Sequence, residues 1–356
     1  MLKKKKLTKR RDFIKKAGLV TAAGVGASIL SAPYGYAASR PIKWRLQTYS
    51  GTSLGKHIIL PQIESFNIAA HGEMEIELYY ANELVPTDKL FKAMQAGTLD
   101  AVQSDDTTNG SPVDIQIFGG CFPFATRYSL DVPALFKYYG LNEIWREAYN
   151  EVRDVTWLST SAWDPCNLFT VEKPIKTLAD MKDLRVFGAP SAVKFMSQYG
   201  VIPVTVSWDE LEEAMQNGDI DGVCWCGFTE AYEVGWADIC KYALKNSLTG
   251  ARFGSYFANS RSWDRLNPKL QELYKMSIQS SNNYRQAWYW SGEANLQVNG
   301  KKMELTTFSK NEWSRVTKDS KAFWDETSKI SPRTAKVVDA LKLYKSTMEK
   351  AGYPYS

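Results

Sequence analysis

Between Lys43 and Tyr49 apolar and polar residues alternate, a period of two that predicts a strand. Leu54 to Ala70 repeats apolar positions at helical spacing, and Met74 to Tyr80 alternates again, which completes a β-α-β start. Pro86-Thr87 opens a further helix through Gln95, Gly97 closes it, and Leu99 to Gln103 reads as a third strand. Strands separated by helices predict an α/β fold with a mainly parallel sheet covered on both faces. From Asn267 the pattern turns helical, and Leu270 to Gln297 and Lys318 to Ala351 predict long C-terminal helices that brace the rest.

One stretch occurs twice. Leu90-Phe91-Lys92-Ala93-Met94-Gln95-Ala96-Gly97-Thr98-Leu99-Asp100-Ala101-Val102 is echoed by Leu211-Glu212-Glu213-Ala214-Met215-Gln216-Asn217-Gly218-Asp219-Ile220-Asp221-Gly222-Val223. In each copy Ala and Met pack a helix on a sheet, and Gly provides a left-handed cap before the next strand. Ser207 and Glu210 have the spacing of a capping box for the second copy. Two copies predict two lobes: residues 40–160 with a return at about 250–280, and residues 161–250, with a helical region over 268–356 spanning both. Ligands of open α/β sheets sit beyond the carboxyl ends of strands, so the segments to inspect are Ser104 to Gly110 and Cys224 to Phe228.

The N-terminus changes how the charge is read. Lys3 to Lys6, Lys9, Arg10 and Arg11 precede a small-residue apolar stretch, Ala17 to Ala32, and Arg10-Arg11-Asp12-Phe13-Ile14-Lys15 has the form of a twin-arginine export signal. Cleavage is expected after Gly35-Tyr36-Ala37, which makes residues 1–37 a leader and the mature chain periplasmic. The leader holds nine of the 44 Lys and Arg and one of the 39 Asp and Glu, so 35 basic residues face 38 acidic ones in the mature chain. A slightly acidic protein lacks the basic field that nucleic-acid binding needs.

The remaining ~320 residues are long enough to bury a sizeable core. Cys121, Cys166, Cys224, Cys226 and Cys240 are too few for a disulfide scaffold, lack zinc-type CxxC pairing, and leave at least one thiol unpaired. His57 and His71 are the only histidines, and GxSxG, HExxH, a P-loop and a post-strand GxGxxG are all missing, so an enzyme is not expected. Cys224 and Cys226 fall on one face of a strand at a spacing that strains a direct disulfide, and read as buried structural cysteines.

The ordered set Glu77-Leu78-Tyr79, Glu83-Leu84-Val85-Pro86, Ala93 to Asp100, Pro123-Phe124, Tyr138-Tyr139-Gly140, Leu178 to Val186, Gly200 to Val204 and Ala214 to Gly222 resembles the extracytoplasmic receptors of tripartite ATP-independent periplasmic (TRAP) transporters. Within that family the chain is most similar to the branch that binds 2-oxo acids and lactate. The resemblance covers nearly the whole mature chain and implies a two-lobed periplasmic-binding-protein fold of type II-like form. It implies a small carboxylate as ligand, membrane transport subunits as partners, and leaves a homodimer open. A sensory receptor of the same fold for an amino acid or aromatic carboxylate is the alternative.

By this resemblance Arg185 pairs with the ligand carboxylate, which suits a guanidinium with two parallel donors. The other reading is a structural ion pair with an acid such as Asp183. The family's metal-holding Glu-Trp pair reads Cys224-Trp225 here, and its Gln falls at Asp164. A neutral thiol is a poor ligand for Na⁺ or Ca²⁺, so no bridging metal or other cofactor is expected. Where the family presents two aromatic residues stand Asp105 and Asp106, which can receive an ammonium or cap the following loop. Trp163, Phe187, Trp225, Phe228 and Trp236 lie near the expected cleft and can sandwich a bulky ligand body.

Overall fold

The structure is a computed structural model that describes residues 40–352; the leader and its cleavage site lie outside them. Among the described residues the strands are β1 (Ile42–Thr48), β2 (Met74–Tyr79), β3 (Ala101–Ser104), β4 (Val155–Pro165), β5 (Leu168–Thr170), β6 (Arg185–Gly188), β7 (Ile202–Pro203), β8 (Gly222–Cys224), β9 (Tyr242–Leu244), β10 (Ala251–Asn259) and β11 (Glu304–Thr306). The α-helices are α1 (Thr52–Ile58), α2 (Leu60–Ala69), α3 (Leu90–Gln95), α4 (Asp131–Tyr138), α5 (Leu141–Asn150), α6 (Pro190–Met196), α7 (Leu211–Gln216), α8 (Phe228–Glu233), α9 (Ser260–Asp264), α10 (Pro268–Asn299), α11 (Lys310–Ser328) and α12 (Pro332–Ala351).

Lobe I is a sheet in the order β2-β1-β3-β10-β4. The β-α-β start forms as the alternation predicts, with β1 parallel to both β2 and β3. The helix expected over Leu54 to Ala70 is two helices, broken at Ile59, where φ is −131°. Pro61 in the first turn of α2 has no N–H to continue the α1 ladder. The sheet is mixed rather than mainly parallel, because the fully buried strand β10 runs antiparallel to β3 and β4.

Lobe II is a second sheet in the order β11-β9-β5-β8-β6-β7. Strand β6 pairs in parallel with β7 and β8, and β5 runs antiparallel to β8 and β9. The chain passes between lobes after β4, which continues to Pro165, and again between Leu244 and Ala251. Strand β11 lies inside the segment read as purely helical, because the chain returns after α10 to pair with β9.

The echoed units α3-β3 and α7-β8 occupy one sheet each, and both turns use glycine in the left-handed region, φ +80° at Gly97 and +76° at Gly218. The Ser207 capping box does not form; its carbonyl, not its side chain, accepts the Glu210 N–H at 3.2 Å. Helix α10 packs on α2 and β4 of lobe I and on α8 of lobe II. The Lys318 to Ala351 pattern is two helices, separated where Ser331 and Thr334 form a capping box ahead of Pro332. Cys121 and Cys166 form a disulfide, and Cys224, Cys226 and Cys240 are buried free thiols.

Candidate functional site

The carboxyl ends of β3 and β8 face each other across the lobes, and Arg252 of β10 stands between them. Its side chain and that of Asp105 are 2% and 1% exposed and meet at 2.5 Å. The guanidinium carbon lies 4.6 Å from the Trp225 ring centroid, 5.0 Å from Tyr49 and 5.6 Å from Trp163. Tyr49 follows β1, Trp163 belongs to β4 and Trp225 follows β8, so both lobes build this aromatic box. Cation–π contacts of this kind are strongest when water is excluded.

Local sequence makes the box possible. A Cβ on Gly254 would come within 1.9 Å of the Trp163 ring, so only glycine lets the indole lie across β10. Trp163 also meets Arg285 of α10, whose guanidinium carbon is 4.9 Å from the ring. Phe187 ends its run in β6 stacked on Trp225 at 5.3 Å, and Trp208 and Trp236 extend the aromatic wall into lobe II.

Three further carboxylates adjoin the box. Glu230 of α8 accepts from the Tyr289 hydroxyl. Glu293 of α10 accepts from Phe228 N at 3.0 Å and Thr229 N at 2.6 Å, and a Cβ on Gly227 would collide with it at 2.5 Å. Burial pushes Asp164 up to about 7, helped by the charges of Glu293 and Glu230. Burial likewise raises Glu230 and Glu293 from their ordinary value. A cavity of about 380 Å³ beside Asp164 and Glu293 is also lined by Arg127, Tyr128, Lys245 and Trp290.

Several buried polar atoms here have no hydrogen-bond partner: Tyr49 Oη, Trp163 Nε1, Asp164 Oδ2, Trp225 Nε1, and Nε and Nη1 of Arg252. Buried polar groups ordinarily have partners, because an unmade bond costs about 1 to 3 kcal/mol. These atoms are concentrated around Arg252, between the lobes.

The expected residues are distributed unevenly around this place. Trp163, Trp225 and Phe187 form its rings and Asp164 its outer wall. Arg185 does not reach it. That residue begins β6 at the end remote from Gly188, with Nε 2.9 Å and Nη2 2.8 Å from Asp221, and Nη2 2.6 Å from the Gly218 carbonyl. The structural ion pair is formed, with Asp221 rather than Asp183.

Asp106 turns into lobe I, where it accepts from Trp145 Nε1 at 2.7 Å and burial pushes it up to about 7. Asp105 both caps its loop, accepting from Thr108 N at 2.7 Å, and pairs with Arg252. Phe228 packs on Phe169 inside lobe II, and contributes its backbone N–H instead of its ring. Cys224 is buried in the lobe II core, where burial pushes its thiol up to about 12. No group of three or more His, Cys, Asp or Glu able to hold a metal occurs among the described residues.

Tyr49, Glu230, Arg252, Arg285, Tyr289 and Glu293 were not singled out by sequence pattern. One signal did exist: Ala251-Arg252-Phe253-Gly254 places an arginine in an apolar run, and a charge inside a buried strand needs a partner.

The profile of the DctP family, bacterial extracellular solute-binding proteins of family 7, matches residues 64–330. A TRAP periplasmic solute-binding protein from Chromohalobacter salexigens, solved with bound (S)-(+)-2-amino-1-propanol, is 49% identical with a TM-score of 0.85, over 88% of this chain and 99% of that one. One from Pseudoalteromonas atlantica, with bound sodium and pyruvate, is 17% identical with a TM-score of 0.75, over 87% and 95% of the two chains. A monocarboxylate 2-oxoacid-binding periplasmic protein from Nostoc is 22% identical over 281 residues, 77% of this chain and 76% of the relative.

Proposed function

The chain belongs to the bacterial extracellular solute-binding proteins of family 7, and on that premise we propose that it captures a small amine-bearing solute between its lobes for a TRAP transporter. The observation that carries the reading is the cluster of acids beside the aromatic box. Three buried carboxylates, Asp105, Asp164 and Glu230, and the half-buried Glu293 lie around two buried guanidiniums, Arg252 and Arg285, with Arg127 and Lys245 at the outer cavity wall. Burial raises Asp164, Glu230 and Glu293, and an ammonium beside them favours their charged form and pairs with it, while the box of Tyr49, Trp163 and Trp225 suits a cation. The 49% identical relative with its bound amino alcohol supports the same class.

A plain 2-oxo acid, the first expectation from sequence, is less well served. Arg185 is occupied by Asp221, and β6 presents the Phe187 ring to the site instead of a charge. The metal-bridged mode fits this chain poorly too, because the Cys224 thiol is neutral and buried where a hard cation asks for oxygen. Binding proceeds by closure: contacts from both lobes that exist only in the shut form draw the equilibrium toward it. We place the mature protein in the periplasm, exported by the twin-arginine leader, with the membrane subunits of the transporter as its partners.

The test is a thermal-shift titration of unfolded-and-refolded mature protein with (S)-2-amino-1-propanol, and with pyruvate in the presence and absence of Ca²⁺. The amine is expected to stabilise without metal, by about 2.7 kcal/mol at 100 times its Kd. Stabilisation by pyruvate with Ca²⁺ and none by the amine would establish the 2-oxo acid reading in its place.

A further inference from the structure

Three arginines bear on the expected ligand chemistry, and they differ in how much of their donor capacity is committed. Arg185 gives its donors to Asp221 and the Gly218 carbonyl. Arg285 gives Nε to the Ala162 carbonyl at 3.0 Å, Nη1 to the Ile58 carbonyl at 3.2 Å, and Nη2 to Asn282. Arg252 commits Nη2 to Asp105 and leaves Nε and Nη1 buried without partners.

The other unpartnered donors of the box, the indole N–H groups of Trp163 and Trp225 and the Tyr49 hydroxyl, belong to rings that flank the same guanidinium. A fixed set of N–H donors with no acceptor is complementary to an oxygen. The charge of Arg252 is already matched by Asp105, and Glu230 lies close enough to act on it electrostatically. The oxygen that completes this set is therefore a neutral one, since a carboxylate would bring a further negative charge among Asp105 and Glu230.

We propose that Arg252 is the residue that reads the oxygen end of the solute, selecting a vicinal amino alcohol, with its hydroxyl on the free Arg252 donors and its ammonium toward Glu230, over the corresponding amino acid. The assignment rests on the amine reading above and adds what that reading leaves open: which residue discriminates, and against what. It transfers to Arg252 a recognition role that the sequence pattern gave to Arg185. It also gives Asp105 a function, that of cancelling a charge so that a neutral hydroxyl suffices.

The experiment is calorimetric titration of the full mature protein with three probes that share one carbon skeleton: (S)-2-amino-1-propanol, 2-aminopropane, which lacks the oxygen, and L-alanine, which carries a carboxylate in its place. In the wild type the amino alcohol is expected to bind about tenfold tighter than each of the others. In Arg252→Lys, which keeps the charge facing Asp105, the preference for the amino alcohol over 2-aminopropane, read as the ratio of the two affinities, shrinks to about threefold or less. Should Arg252→Lys not fold, the neutral pair Asp105→Asn with Arg252→Gln removes the same donors without stranding a charge, and the same loss of preference is expected.

An unchanged preference in either variant overturns the assignment, as does equal binding of 2-aminopropane and the amino alcohol by the wild type. Tighter binding of L-alanine overturns the selection of a neutral oxygen. Failure of all three probes to bind instead removes the amine reading on which the assignment stands.

Discussion

Two arginine–aspartate pairs, one at the base of lobe II and one between the lobes, look alike on paper and differ in kind. Arg185 and Asp221 are 41% and 32% exposed and satisfy each other with two parallel bonds. Arg252 and Asp105 are almost wholly buried, share a single bond, and leave donors over. A complete, solvated pair holds a strand end in place. An incomplete, desolvated pair holds chemistry ready for something else.

The sharpest way to break the contrast is to strand each charge in turn. Asp105→Ala leaves the Arg252 charge buried without its partner and is expected to cost about 3 to 5 kcal/mol, read as a large fall in Tm. Asp221→Ala at the exposed pair is expected to move Tm far less, and equal losses would erase the distinction.

Gly254→Ala is expected to be next in size, since the new methyl occupies the place of the Trp163 ring. Overpacking of this sort costs about 1 to 3 kcal/mol, and displacing the indole should weaken solute binding as well. A variant with wild-type Tm and affinity would show that Trp163 does not need the space.

A smaller effect is expected from pH. Asp164 titrates near 3.8 when unfolded and about 7 when folded, because burial and the neighbouring Glu293 and Glu230 disfavour its charge. The folded state thus holds a proton that the unfolded chain has lost, and stability falls as pH rises from about 4 to about 7. Scans of Tm from pH 5 to 8 on ligand-free protein should slope downward, and Asp164→Asn should flatten part of that slope. An unaltered slope would remove Asp164 as its source.

The smallest effect is expected at Arg185. Arg185→Ala should leave solute affinity as it is, measured by calorimetry. A tenfold loss would return the recognition role to this residue.

Much of this architecture is legible in the sequence because local patterns state it directly. The alternation of Lys43 to Tyr49, the glycine caps at Gly97 and Gly218, and the echoed helix-Gly-strand units all survive translation into structure. So does the facing of the two strand ends, which put Asp105 and Trp225 on the same guanidinium. What sequence could not state is side-chain direction over long separations. Arg185 and Phe187 lie two residues apart on one strand, yet only the second is at the end that meets the other lobe. Asp105 and Asp106 are neighbours that point to opposite destinations, Arg252 and Trp145. Arg252 and Glu293 enter from β10 and α10, far along the chain, with nothing local to announce them.

Helix α10 carries a consequence for how the lobes can part. Arg285, Tyr289 and Glu293 recur every fourth residue along it, so they line one stripe. The first grips lobe I through the carbonyls of Ile58 and Ala162, whereas the other two grip α8 of lobe II. A single rigid rod is thus clamped to both jaws at points about 6 Å apart, one helical turn. Parting the jaws means flexing the rod within that turn or unhooking Tyr289 and Glu293, so any opening is geared to the same stripe of side chains that adjoins the aromatic box.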